Sequence, residues 1–429
     1  MSSERLQPLY VDALVLPGLP DKWNWAKFED VAVAVPVGRK YDGKTVVTGG
    51  VVPVIDQSIS GVMGHHSDEP GVNASGSCPV FTFANHTCAM RWMTHSFSCI
   101  QNVFAFRGND RCDTQYLYYA SQGRVVLEEY KGHAPTFRSM FVPVPPLSEQ
   151  RDIAASLASL DKRIDLLRET NATLEAIAQA LFKSWFVDFD PVRAKMAGRA
   201  PEGMDEATAA LFPDALEETE LGLVPKGWHV GALDSIAALN PESWSSKHHP
   251  DRLLYVDLAN TKENQIEGIT EFAFDEAPSR ARRVLRAGDV IVGTVRPGNR
   301  SFARISVDRT GLTGSTGFAV LRAHHHSDQA LVYIAATRDE AIERLAHLAD
   351  GGAYPAVRPE VVAGAPVVIA PDSVRQAFGE VANHLLAGVG SNQEQSRYLA
   401  DLRDTLLPRL ISGQLRLPEA QAQLEDALA

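Results

Sequence analysis

The stretch SEQRDIAASLASLDKRIDLLRETNATLEAIAQALFKSWFVD, Ser148 to Asp188, decides the architecture. Its apolar positions are Ile153, Leu157, Leu160, Ile164, Leu167, Leu174, Ala178, Leu181 and Trp185, with Asn171 filling the one gap. The steps alternate four and three, a heptad seam with no Pro or Gly inside it. Ser148 ahead of Glu149 and Gln150 marks a helix start. A helix of this length reaches roughly 60 Å at 1.5 Å per residue and cannot bury its seam alone.

The partner lies in the same chain. Adding 221 to each position turns the seam into Val374, Phe378, Val381, Leu385, Gly388, Asn392, Gln395, Leu399, Leu402 and Leu406, and Asn171 falls on Asn392. A polar residue on such a seam fixes register at some expense of stability. The seam is therefore expected to be carried by Leu157, Leu160, Ile164, Asn171 and Leu181 on one helix. On the other it is expected to use Phe378, Val381, Leu385, Asn392 and Leu402. The two helices are expected to pack antiparallel.

The chain has 429 residues, enough for two to four domains, with 45% apolar and 22% charged residues, an ordinary globular balance. No apolar run approaches the 18 residues of a membrane helix, and the N-terminus lacks a signal pattern, so a cytosolic location is expected. Four cysteines are few for a disulfide framework. The net charge of −12 argues at first against a nucleic-acid partner, but the acidity gathers in the helical parts. Residues 1–145 sum to −1 and residues 228–371 to −2, so both segments can carry local basic faces.

Residues 1–145 mix short strand-like runs with Gly and Pro: Val31–Val37, Val46–Ile55, Cys78–Phe83 and Asn102–Phe106, with a short helix over Arg111–Gly123. Then the chain begins again. Leu223-Val224-Pro225-Lys226-Gly227-Trp228 echoes Leu19-Pro20-Asp21-Lys22-Trp23. Asp234-Ser235-Ile236-Ala237 echoes Asp30-Val31-Ala32, and Gly317–Arg322 echoes Asn102–Arg107. Pro355-Ala356-Val357-Arg358 is matched to Pro135-Thr136-Phe137-Arg138. The order is globular, helix, globular, helix. Its expected bounds are 1–146, 147–190 for the first long helix, a connector over 191–222, 223–371, and 372–429 for the second long helix and tail.

The clearest basic feature runs from Arg280 to Arg309, with eight arginines against Asp289 and Asp308, a local charge of +6. Within it a strand over Asp289–Val295 leads to the loop Arg296-Pro297-Gly298-Asn299-Arg300-Ser301. Arginine forks suit phosphates and guanine edges, and Asn suits adenine edges. Arg296, Asn299 and Arg300 are expected to reach into the DNA in this half, with Ser301 also at the DNA, flanked by Arg280, Arg282 and Arg283 on phosphates. In the first half the thinner equivalents are Arg39, Lys40 and Lys44 on a basic turn, with Arg91 and Arg138 beside aromatic residues.

Cys78, His86, Cys88, His95, Cys99 and Cys112 cluster in sequence, yet none forms a CxxC or HxxxH pair, so no metal site is expected. The triple His324-His325-His326 reads as a solvated loop. There is no phosphate-binding GxxxxGK[ST] loop, no HExxH and no Gly-rich dinucleotide fingerprint. No catalytic residue emerges.

With these residues in view, the chain resembles the DNA-specificity subunit of type I restriction-modification enzymes. The carrying stretches are Pro145-Pro146-Leu147-Ser148-Glu149-Gln150, Leu181-Phe182-Lys183-Ser184-Trp185-Phe186-Val187-Asp188-Phe189, and Leu221-Gly222-Leu223-Val224-Pro225-Lys226-Gly227-Trp228. A fourth is Leu402-Arg403-Asp404-Thr405-Leu406-Leu407-Pro408-Arg409-Leu410-Ile411-Ser412-Gly413. The second helix departs from the first at its entry, which reads Ile369-Ala370-Pro371-Asp372-Ser373.

The resemblance implies an α/β (α+β) chain. Two target-recognition domains of mixed strands and short helices would be joined by two antiparallel helices as a coiled-coil spacer, an internal duplication with pseudo-two-fold symmetry. Each domain would read one half of a bipartite double-stranded DNA site. The chain would have no catalytic centre of its own. Two methylation (M) subunits and the restriction (R) subunits would bring AdoMet, ATP and Mg²⁺, with no membrane partner. A metal-dependent nuclease acting alone, or a coiled-coil scaffold without a DNA role, are the rival readings.

Overall fold

The computed structural model describes residues 18–428 apart from 48, 59–60, 128–131, 220–221, 351 and 353, with side chains to residue 422. Leu221 of the motif quoted above lies outside the described residues. Two helices of 40 residues dominate, Leu147–Phe186 and Asp372–Ile411. The chain divides into two compact units, Met1–Ile164 with Tyr398–Ala429, and Asp165–Arg397. Each unit therefore owns a portion of both long helices.

In unit one, a four-stranded antiparallel sheet runs in the order Ala32–Val35, Val103–Gly108, Val80–Ala84, Met90–Met93. A second sheet runs Lys40–Tyr41, Ser98–Ile100, Val52–Ile55, Val62–His66, with parallel pairing on both sides of Ser98–Ile100. Asn24–Lys27 pairs with Phe141–Val144. The expected strands are present with shifted ends, and the expected short helix is Thr114–Ser121. It starts where the Asp113 carboxylate accepts the amides of Gln115 and Tyr116 at 2.9 and 3.0 Å. Phe28, Phe81, Phe83 and Phe137 fill the core, with Phe83 stacked on Phe137 at 3.9 Å.

Unit two repeats the plan. Its antiparallel sheet runs Ala237–Leu239, Phe318–Ala323, Val290–Gly293, Phe302–Arg304. Its second sheet runs Thr270–Ala273, Arg252–Val256, Leu312–Ser315, Ala281–Val284, again around a parallel pair. His229–Ala232 pairs with Pro366–Ile369 as Asn24–Lys27 pairs with Phe141–Val144. One edge differs: Ala281–Val284 is antiparallel to its neighbour, whereas Lys40–Tyr41 is parallel to its own. The match of Pro135 to Pro355 needs correction. Pro135 lies in the first turn of the helix Ala134–Ser139, and its counterpart is Pro359, the first residue of the helix Pro359–Ala363.

The long helices meet along their apolar faces. In unit one Leu157 and Leu160 are fully buried, Ile164 nearly so, and Arg403 donates to the Asp161 carboxylate at 2.8 Å. In unit two Asn392 donates to Asn171 at 2.9 Å, and Phe378 packs on Phe182, Trp185 and Phe186 at 5.0–6.3 Å between ring centres. Residue 171 faces 392 while 182 faces 378, so the pair is antiparallel.

The expected seam of the second helix needs correction. Leu147 and Asp372 begin the helices 225 residues apart. The offset of 221 is one helical turn short, so only alternate seam positions coincide. Burial follows the longer offset: Phe378, Ala382 and Val389 are buried and Leu385 is half-buried, while Val381 is 49% exposed. Leu402 and Leu181 are half-buried at the seam's edge.

The two helix entries use different residues for one task. Gln150 is fully buried, accepts the amide of Asp113 at 2.7 Å and donates to the carbonyls of Arg111 and Pro145. Arg375 stands 225 residues later. It donates to the Ala370 carbonyl at 3.2 Å and pairs with the buried Asp328 carboxylate and with Asp372. The second helix thus lacks the Glu-Gln entry because an arginine holds it.

Candidate nucleic-acid interface

The +6 run of unit two does not survive folding as a +6 surface. Arg286 forms a two-pronged pair with Glu242 at 2.6 and 2.8 Å. Arg300 pairs with both Glu263 and Asp339 at 2.7 Å, and Arg309 pairs with Glu394. All four carboxylates come from outside the run. Arg300 is accordingly tied to two carboxylates within unit two. Ser301 is also turned inward, its hydroxyl donating to the Leu258 carbonyl at 3.0 Å.

Arg280, Arg282 and Arg283 surround the edge strand Ala281–Val284 of the second sheet, whereas the loop 296–301 joins two strands of the first. The structure therefore does not bring these two groups onto one sheet. Arg280 is exposed and donates to the Tyr255 hydroxyl at 3.0 Å. Arg282 lies over Phe274 at 5.0 Å. Arg283 is half-buried, burial lowers its pKa, and it reaches the Ser243 hydroxyl at 3.3 Å, which suits a packing role better than a phosphate contact.

Arg296 and Asn299 remain at the surface. They sit on a single tight turn, Pro297–Asn299, bracketed by Arg296 at φ 48° and Arg300 at φ 59°. Pro297 is buried beneath it. The Arg296 amide donates to the Pro355 carbonyl at 2.7 Å, and Val295 bridges Ala356. The Arg296 guanidinium lies 4.7 Å over the ring of Tyr354, which is 71% exposed. Tyr354 is the functional candidate that the sequence did not disclose. It lies far from the arginine run in sequence, and only the pairing of the two loops places it there.

Unit one carries the same frame. The amide of Asn85 donates to the Asn102 carbonyl, and that of His133 to the Asn85 carbonyl, each at 2.9 Å. In unit two Thr294 donates to Gly317 and Val357 to Thr294, again at 2.9 Å. The residues on this frame in unit one are His86 and Thr87. Thr87 is exposed, and its hydroxyl donates to the Gln57 carbonyl at 2.5 Å.

The basic residues expected in unit one are scattered in role. Arg39 is exposed, paired with Asp68 at 3.0 Å and lying over Tyr41 at 5.0 Å. Tyr41 in turn stacks on His66 at 4.0 Å. Lys40 points inward to the Val103 carbonyl at 3.3 Å, and burial lowers its pKa. Lys44 is exposed on a turn that the Asp42 carboxylate organises through the amides of Lys44 and Thr45. Arg91 is committed to the carbonyls of Asp56 and Ser58. Arg138 is exposed and lies over Phe104 at 5.0 Å.

Among the described residues no group of three His, Cys, Asp or Glu side chains could hold a metal ion. Cys99 and Cys112 are core residues, and burial pushes both thiols up to about 12. Among the described residues no helix is long and apolar enough to cross a membrane.

No family model matches the chain. It is 24% identical over 326 residues to the type I restriction enzyme MjaIX specificity subunit of Methanocaldococcus jannaschii, covering 71% of this chain and 70% of that one. It is 23% identical over 326 residues to the type I restriction enzyme HindI specificity subunit of Haemophilus influenzae, covering 65% and 69%. Its fold matches the crystal structure of a type I restriction-modification system S subunit from M. genitalium with a TM-score of 0.51, at 13% identity, over 94% of this chain and 98% of that one. In sequence this chain is similar to type I restriction enzyme specificity subunits, and in fold it is similar to a type I restriction-modification S subunit.

Proposed function

We propose that this chain is the subunit that selects the DNA sequence for a type I restriction-modification complex. The observation that carries this reading is the duplication: two units of one sheet plan, each with its own share of an antiparallel helix pair, in a chain whose relatives are specificity subunits. Two reading units suit a site in two halves, with phosphate contacts holding register and a few side chains per unit reading bases. Residues 18–146 and 223–371 take the two halves. Methylation and restriction subunits, working in the cytosol, supply AdoMet, ATP, Mg²⁺ and the chemistry.

The test is methylome sequencing of a host expressing this chain with its methylation subunits. The expected result is adenine methylation at one two-part site, lost when the gene is removed. Exchange of residues 223–371 for those of a relative should change one half-site and leave the other. Methyl transfer or DNA cleavage by the purified chain alone would overturn the reading.

A further inference from the structure

We infer that Arg296, set in place by Tyr354, is the side chain of unit two that reads a guanine edge, an assignment that rests on the DNA-reading role proposed above. The loop that carries it is fastened along its inner side. Pro297 is buried, Arg300 is held by Glu263 and Asp339, and Ser301 is bonded to Leu258. Arg296 and Arg300 both occupy the left-handed region, which a non-glycine residue adopts only where its surroundings impose it, and such positions gather at working sites.

The second loop completes the head. The bond from the Arg296 amide to Pro355 and the bridge from Val295 to Ala356 join the two loops. They bring the Arg296 guanidinium to 4.7 Å from the centre of an exposed ring. A planar guanidinium resting on an aromatic face has lost much of its freedom before any ligand arrives. A fork of set orientation matches the O6 and N7 acceptors of guanine in the major groove, whereas a phosphate contact needs no such setting. Preorganisation of this kind strengthens binding by reducing the ordering needed on contact.

Unit one supplies the comparison. The same backbone frame, with the same pair of amide-to-carbonyl bonds, carries His86 and Thr87 where unit two carries Val295 and Arg296. One frame with exchanged tips is what two units need if they read different half-sites.

The experiment uses the full chain assembled with its methylation subunits. Adenine methylation is measured on duplexes carrying every single-base change in both halves of the site. Arg296→Ala should relax one guanine position of the second half by about tenfold to a hundredfold and leave the first half unchanged. Arg296→Lys should keep the charge yet lose that discrimination, because an ammonium has no fork. Tyr354→Ala should relax the same position to a smaller degree, and Tyr354→Phe, which keeps the ring, should restore it. Both residues are exposed, so these variants should melt with the wild type. Equal slowing on every duplex by Arg296→Ala would make it a phosphate contact and overturn the assignment. Relaxation in the first half, or a Tyr354→Phe profile matching Tyr354→Ala, would overturn it as well. A wild-type complex that modifies no two-part site would overturn the proposed function and this assignment together. A normal wild-type site with an unchanged Arg296→Ala profile would overturn the assignment alone.

Discussion

Replacing Gly379 with alanine pits helix propensity against packing. Gly379 lies inside the second long helix, where alanine is better by about 1 kcal/mol on propensity alone. In unit two, however, a Cβ at this position would lie 2.3 Å from the carbonyl oxygen of Ser327. An ordinary contact is above about 3.4 Å, so something must move by roughly 1 Å, and such overpacking costs about 1–3 kcal/mol. Backbone cannot swing aside as a side-chain end can. One turn away on either side, Arg375 pairs with buried Asp328, and Asn383 bonds the His326 carbonyl at 3.0 Å and the Ala330 amide at 2.9 Å. Shifting Ser327 strains these bonds too, each worth about 1 kcal/mol and more where charge is involved. The net expectation is a loss of about 2 kcal/mol, opposite in sign to propensity. Gly388→Ala is the control: its Cβ would meet only the end of Leu174 at 3.4 Å, so a gain of up to about 1 kcal/mol is expected. Urea unfolding of the full chain, followed by circular dichroism, reads both as shifts of midpoint at constant slope. A Gly379→Ala midpoint at or above the wild type would refute the close approach of helix and carbonyl.

Phe378→Ala should cost about 3–5 kcal/mol and Val381→Ser less than about 0.5, since the first is fully buried and the second 49% exposed; reversed costs in the same urea assay would restore Val381 to the seam. Arg286, with Arg322, holds the Glu242 carboxyl down to about 2 against an ordinary 4.5, so its ionised form supports the fold above pH 4.5 and that support fades as pH falls toward 2. Glu242→Gln should therefore be less stable than the wild type near neutral pH and show a flatter decline through that acid window; parallel curves would remove the pair from the acid response. With thiols pushed up to about 12, Cys99 and Cys112 should resist iodoacetamide at pH 8 in the folded chain and react in urea, while exposed Cys78 reacts in both; mass spectrometry of the labelled peptides would expose any early reaction at Cys99.

Much of the architecture was legible in the sequence because it rests on periodicity, a local property. The heptad rhythm over Ile153–Trp185 announced a long helix needing a partner, and recurring stretches such as Asn102–Arg107 and Gly317–Arg322 announced the duplication. Asn171 and Asn392 meet in a side-chain hydrogen bond. The register of the second helix is not legible to within one turn, because four residues nearly restore helical phase and Val381 is as eligible by sequence as Ala382. A short alanine and a glycine carry no visible hydrophobic signal, yet close packing requires small residues at Ala382 and Gly379.

The candidate interface was less legible, for a different reason. Summing charge along the chain makes Arg280–Arg309 strongly basic, but charges act through space. Glu242, Glu263, Asp339 and Glu394 arrive from distant segments and take Arg286, Arg300 and Arg309 out of the reckoning. Likewise Gln150 and Arg375 share one task that no substitution rule connects, because what is preserved is the buried carbonyl each must satisfy. Local pattern settled which segments are helix and strand and that the plan occurs twice. Which arginine faces outward, and that Tyr354 lies beneath it, depended on long-range pairing of loops, since a side chain's surroundings are set by neighbours that are remote in sequence.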